Sequence, residues 1–238
     1  MNGEEMIRRA YLIGGVYSKL LEGVGRDIRS WKNFLLSPLG GGWQPEELID
    51  MTGWKRADIL EGIQKGKSCD YSCVIFSGHG YMDVDAYGFT STFVNVNDEV
   101  TLSEGDLNPG NPRCLMILDC CRKFPSEDDL VPVMDSFAME KSASFTRKTF
   151  DDEVMKAERG LVTVYAAEED HSAMDGRSFS RSLIRVASQF REAFENGVLH
   201  IDRATELAEQ FLVKQQHPVY NGGRRLHHFP FAIGTICH

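Results

Sequence analysis

Short apolar runs alternate along the chain with stretches in which apolar residues recur at helical spacing. Such runs predict buried strands, and the recurrence predicts amphipathic helices, for example over 25–37, where Ile28, Trp31, Phe34 and Leu35 share one face. Further helices are predicted over 54–66 and at about 179–195 and 202–215. Six runs predict strands: "AYLIGGVY" (10–17), "EELIDMT" (46–52), "YSCVIFSGHG" (71–80), "CLMILDCC" (114–121), "GLVTVYAAEE" (160–169) and "FPFAIGTI" (229–236).

This alternation predicts a three-layer α/β/α sandwich around a mostly parallel, six-stranded sheet, because helical crossovers return the chain to the same edge. Residues 88–107 alternate weakly and predict a small hairpin attached to a loop. In sheets of this kind, ligands bind beyond the carboxyl ends of the strands. The functional residues are therefore expected there.

Composition narrows the functional classes. The 238 residues carry a formal net charge of −9, which argues against nucleic-acid binding and suits cationic substrates. No stretch is long and apolar enough to span a membrane, and the N-terminus lacks the layout of a signal peptide. The six cysteines lie mostly in or beside apolar runs, which predicts reduced thiols and a cytoplasmic location.

A histidine and a cysteine pair fall at two of the predicted strand ends. His79 stands between glycines after the third strand, and Cys120 and Cys121 end the fourth. An imidazole accepts a thiol's proton and so produces the nucleophilic thiolate. We interpret Cys121 as the nucleophile, His79 as its base, and Cys120 as a packing residue on the other side of the chain.

Other chemistries lack their signatures. The sequence has no Gly-x-Ser-x-Gly elbow, P-loop, dinucleotide glycine fingerprint or Cys-x-x-Cys redox pair. Cys69 and Cys73 are read as core thiols, and no metal site is predicted. Asp83 and Asp85 are read as solvated loop carboxylates, with calcium binding as the alternative.

The segments "FSGHG" and "ILDCCR" resemble the two catalytic signatures of the caspase-like cysteine peptidases. Asp119 lies two residues before Cys121, within "LDxCRK", and this arrangement is most similar to that of paracaspases and metacaspases. The resemblance implies that His79 acts as base and then acid, that Cys121 forms the acyl-enzyme, and that the backbone N–H groups of Gly80 and Cys121 hold the oxyanion.

The resemblance also implies an acidic specificity pocket and cleavage after Arg or Lys, because a buried cation needs paired anions. Asp27 and Asp119 match the pocket positions, and Glu168 or Glu169 is expected as a third acid. The alternative is a pocket built around Arg26, which would select Asp.

The whole chain, 1–238, is predicted to be one domain: a large-subunit-like part (1–124), a linker or activation loop (125–159) and a small-subunit-like part (160–238). Activation by self-cleavage, calcium or a regulatory protein partner is expected, and Arg147-Lys148 is read as the most open linker site. The other basic linker positions are Lys141, Lys156 and Arg159. The alternative function is a caspase-like scaffold with little or no catalysis, because glycine is missing after Arg122.

Overall fold

The computed structural model describes residues 6–16, 22–84, 88–122, 143–169, 171 and 178–234. Within those ranges, no helix is long and apolar enough to cross a membrane. The helices and strands follow in chain order: β1 (Arg8–Gly14), α1 (Glu22–Leu36), β2 (Leu48–Asp50), α2 (Arg56–Gln64), β3 (Tyr71–Ser77), β4 (Gly80–Val84), β5 (Thr90–Asn95), β6 (Thr101–Ser103), β7 (Arg113–Asp119), α3 (Ala143–Lys156), β8 (Gly160–Tyr165), α4 (Phe179–Gln189), β9 (Val198–His200), α5 (Ile201–Ala208), β10 (Val219–Asn221) and β11 (Pro230–Ile233).

The central sheet has six strands in the order β10-β8-β7-β3-β1-β2, and every pairing is parallel except that of β10 with β8. Strands β3 and β7 are buried at every position, as expected for a parallel sheet covered on both faces. The predicted fold class is therefore confirmed.

Alternate residues of each strand enter two separate hydrophobic cores. One face packs against α1, α3, α4 and α5, with Trp31, Phe150 and Leu183 among the buried residues. The other face packs against α2 and β5, with Ile59 and Val94 buried. The second outer layer thus combines a helix with a small antiparallel sheet, β4-β5-β6, where the sequence predicted a hairpin.

The identity of the sixth strand was predicted wrongly. The predicted strand "FPFAIGTI" provides β11, but β11 pairs with β9 in a separate two-stranded ribbon. The sixth position in the central sheet is taken by β10, with Tyr220 paired to Val164. Strand β10 has only three residues, none of them buried, so no apolar run marks it in the sequence.

Part of the predicted linker is regular structure. Helix α3 spans Ala143–Lys156, within the predicted linker, and Arg147-Lys148 lies inside it. The Arg147 guanidinium donates two hydrogen bonds to the Glu47 carboxylate, at 2.8 and 2.9 Å. The expectation that Arg147-Lys148 is open to cleavage is therefore wrong, while Lys141 lies outside the described residues.

Candidate active site

His79 and Cys121 lie at the same edge of the sheet. Strands β3 and β7 are parallel neighbours, and Ser77 pairs with Asp119 at their carboxyl ends. His79 and Cys121 each follow two residues beyond that pair, and both are half-buried. Because paired strands are only about 4.8 Å apart, both residues follow strand ends that lie side by side.

The small antiparallel sheet fixes the backbone around His79. The Asn95 N–H donates to the His79 carbonyl at 2.9 Å, and the next residue, Gly80, begins β4 and pairs with Val94. A Cβ atom at position 80 would lie 2.7 Å from Cys120 Sγ and 2.8 Å from the Phe93 carbonyl oxygen. Glycine is required here because both neighbours approach too closely for any side chain.

The two adjacent cysteines have different environments. Cys120 is buried against Gly80, and burial raises the pKa of its thiol well above the ordinary value. The prediction that Cys120 packs the interior is confirmed. Among the five cysteines that the structure describes, four are buried and Cys121 is half-buried. Cys121 is therefore the most accessible thiol in this part of the chain.

Asp27 and Asp119 form a buried acidic pair beside these strand ends. The Asp27 carboxylate accepts a hydrogen bond from the Ser77 hydroxyl at 3.0 Å. Asp119 accepts from the Ser178 hydroxyl at 3.0 Å and from the Ser180 N–H at 2.8 Å. Burial, together with repulsion from the Asp119 carboxylate, raises the pKa of Asp27 to about 7.

Arg181 contacts this pair from α4. Its Nε lies 3.2 Å from Asp27 Oδ1, and its charge partly offsets the rise in the Asp27 pKa. Sequence reasoning missed Arg181, Ser77 and Ser178. The available signal was "SFSR" at the start of an amphipathic helix, because Ser178 caps α4 by accepting from the Arg181 N–H.

The third acid is not part of the buried pair. Glu168 and Glu169 are both exposed beyond β8, and Glu169 pairs with Arg122 Nη2 at 3.3 Å. The carboxylate whose charge raises the pKa of Asp27 is that of Asp119. Arg26, the alternative pocket cation, is half-buried next to Asp27 in the chain, and Arg181 pairs with the Asp27 carboxylate.

Arg122 anchors the segment that follows the cysteine. Its guanidinium stacks on Tyr165 at 3.9 Å and donates to the Thr92 hydroxyl at 3.2 Å. Its backbone N–H donates to the His171 carbonyl at 3.0 Å. The residue next to Cys121 is thus tied to both β5 and the end of β8.

No group of three or more His, Cys, Asp or Glu residues in the described ranges is arranged to hold a metal ion. Asp83 is exposed in β4, and its carboxylate accepts from the Val84 N–H at 2.7 Å. Asp85, the other residue considered for calcium, lies outside the described residues.

Comparison with known proteins agrees with the fold described above. The family model described as caspase domain matches residues 7–226. The chain is also similar to the crystal structure of caspase-1 from Spodoptera frugiperda, with a TM-score of 0.52, 12% sequence identity, and coverage of 90% of this chain and 85% of that chain. At that identity the likeness shows the fold alone. No curated protein sequence matches the chain.

Proposed function

The chain belongs to the caspase-domain family of cysteine peptidases, and from that membership we propose that it is an endopeptidase that cleaves proteins after arginine or lysine. One observation carries the substrate class: the buried Asp27–Asp119 pair is attached to both strands that lead to His79 and Cys121. A cationic side chain held by this pair would present the following peptide bond to the cysteine.

In the proposed reaction, Cys121 gives its proton to His79, and its Sγ bonds to the carbonyl carbon of the scissile peptide. The N–H groups of Gly80 and Cys121 stabilise the resulting oxyanion. The C–N bond then breaks, and His79 passes its proton to the leaving amine. Water, deprotonated by His79, hydrolyses the thioester and releases the Cys121 sulfur.

Cleavage of fluorogenic peptides ending in Arg, Lys, Asp or Leu, with and without calcium, tests this proposal. The wild type should act after Arg and Lys, and Cys121→Ala should lose at least ~10³-fold of that activity. Cys69→Ala is the matched control, because Cys69 is also a free thiol but precedes β3, at the opposite end of that strand from His79.

Three results would contradict the proposal. Turnover after Asp would overturn the acidic pocket and favour a role for Arg26. Turnover that survives Cys121→Ala would remove the nucleophile. Silence on all peptides, together with failure of an arginyl chloromethyl ketone to alkylate Cys121 in a mass-spectrometric assay, would favour the scaffold function.

Activation by calcium, by a regulatory partner or by self-cleavage belongs to the same proposal. The calcium arm of the assay tests the first trigger. Among the predicted cleavage points, Arg159 is exposed between α3 and β8, and Lys156 is exposed at the end of α3. A cytoplasmic location is also proposed, because the five described cysteines are free thiols.

A further inference from the structure

The acidic pair already contains a cation from its own chain. Arg181 lies in the first turn of α4, and its Nε is 3.2 Å from Asp27 Oδ1. The pocket and this arginine share a residue, since Ser178 donates to Asp119 and also accepts from the Arg181 backbone N–H. The guanidinium is therefore held at the pocket by the start of the helix.

The ion pair between Arg181 and Asp27 is poorly satisfied on both sides. Arg181 Nε and Nη2 are buried without a hydrogen-bond partner in the described part of the chain, and so is Asp27 Oδ1, although the Asp27 side chain is only 6% exposed. The 3.2 Å approach lacks the alignment of a hydrogen bond. Buried charged atoms are normally paired more fully than this.

Arg8 shows how this chain holds an arginine that serves structure. Its donors reach the carboxylates of Glu47 and Asp151 and the carbonyls of Gly41 and Gly42, at distances from 2.7 to 3.4 Å. By comparison, Arg181 is weakly anchored, and Asp27 keeps an acceptor oxygen that a better-aligned donor would use.

Resting on the proposed function, we propose that Arg181 is a specificity-determining residue that occupies the Asp27–Asp119 pocket and competes with the arginine or lysine side chain of the substrate. A substrate guanidinium would supply the aligned donors that Arg181 does not, so binding displaces Arg181 from Asp27. The affinity for basic side chains is then set by the difference between the free energies with which the substrate cation and Arg181 bind the acidic pair.

Removing the charge of Arg181 tests the competition directly. Arg181→Gln should lower KM for Arg and Lys peptides about tenfold with little change in kcat, because it removes both the competitor and its repulsion. Arg181→Lys keeps the charge, and its KM for the same peptides should stay within about threefold of the wild-type KM. Thermal melting of each variant reports whether the fold is intact.

Arg185→Gln is the matched control. Arg185 lies one turn further along α4, and its substitution removes the same unit of charge as Arg181→Gln. Its guanidinium, however, donates to Gln189 and stacks on Phe211 at 4.3 Å. Its replacement should leave KM unchanged within about twofold. A fall in KM for Arg185→Gln equal to that for Arg181→Gln would show a general charge effect and overturn the competition.

Binding without turnover separates this inference from the proposed function. In a Cys121→Ala background, calorimetry with benzamidine, a compact planar cation, should give about tenfold tighter binding when Arg181→Gln is added and none when Asp27→Asn is added. Weaker or unchanged binding by Arg181→Gln would overturn the inference, even if wild-type cleavage after Arg is established. Tighter binding would support it, even if no peptide is cleaved.

Discussion

At the scale of single residues, Asp27 is held in an environment that opposes its charge. The unfolded chain gives this carboxyl its ordinary pKa of 3.8, whereas burial and Asp119 raise the folded pKa to about 7, with Arg181 and Ser77 opposing the rise. Between those pH values the folded state binds more protons, so stability falls as pH increases. Asp27→Asn has no such proton to lose. The Tm of Asp27→Asn minus that of the wild type should therefore increase between pH 5 and pH 8, by ~2–4 °C or more.

The measurement is thermal unfolding of both proteins at several pH values. A difference in Tm that stays constant or shrinks with rising pH would contradict the raised pKa. The same variant is expected to lose the preference for basic substrates. The acidic pair would then lower stability while serving binding, as functional sites often do.

The sequence predicted Asp27, Asp119, His79 and Cys121, because each occupies a motif position or a strand end. It did not predict Arg181 or the two serines around the acidic pair. Their proximity depends on the register of β3 with β7 and on the direction in which α4 enters the core. Neither feature leaves a periodic pattern in the chain.

At the scale of secondary-structure elements, α3 is joined to β1 by buried charges. The fully buried Arg8 pairs with Asp151 at 2.7 Å and with Glu47, which also binds Arg147. Asp151→Asn would leave Arg8 partly uncompensated, and we expect a loss on the order of 3 kcal/mol in the free energy of unfolding. Urea denaturation measures this loss.

Asp152→Asn provides the control from the next residue of the same helix. Asp152 pairs with Lys148 at the surface, where both side chains are more than half exposed. Its loss should cost less than about 0.5 kcal/mol. Equal losses of unfolding free energy for the two substitutions would show that the buried charges around Arg8 do not stabilise the packing of α3.

The same element explains why the linker was predicted only in part. The mixed charge of 143–159 resembles that of a solvated loop, yet Phe150 and Val154 within this range are buried against the sheet. The stabilising partners of Arg147 and Asp151 lie about a hundred residues or more away, on Glu47 and Arg8. Local patterns carry no information about partners so distant in sequence.

At the scale of the whole molecule, the parts of the chain before and after the predicted linker share one sheet. Strands β7 and β8 are paired from Arg113–Gly160 to Leu118–Tyr165, and α1 and α4 enter the same hydrophobic core. A break between them removes one covalent link and none of these contacts. After cleavage at a protease site inserted between positions 130 and 135, the two fragments should therefore stay together. They should co-elute in size-exclusion chromatography and unfold in one transition, and Asp151→Asn should lower the midpoint of the cut protein as it does that of the intact chain. Fragments that elute separately would mean that the shared sheet and core are insufficient to hold the two parts together.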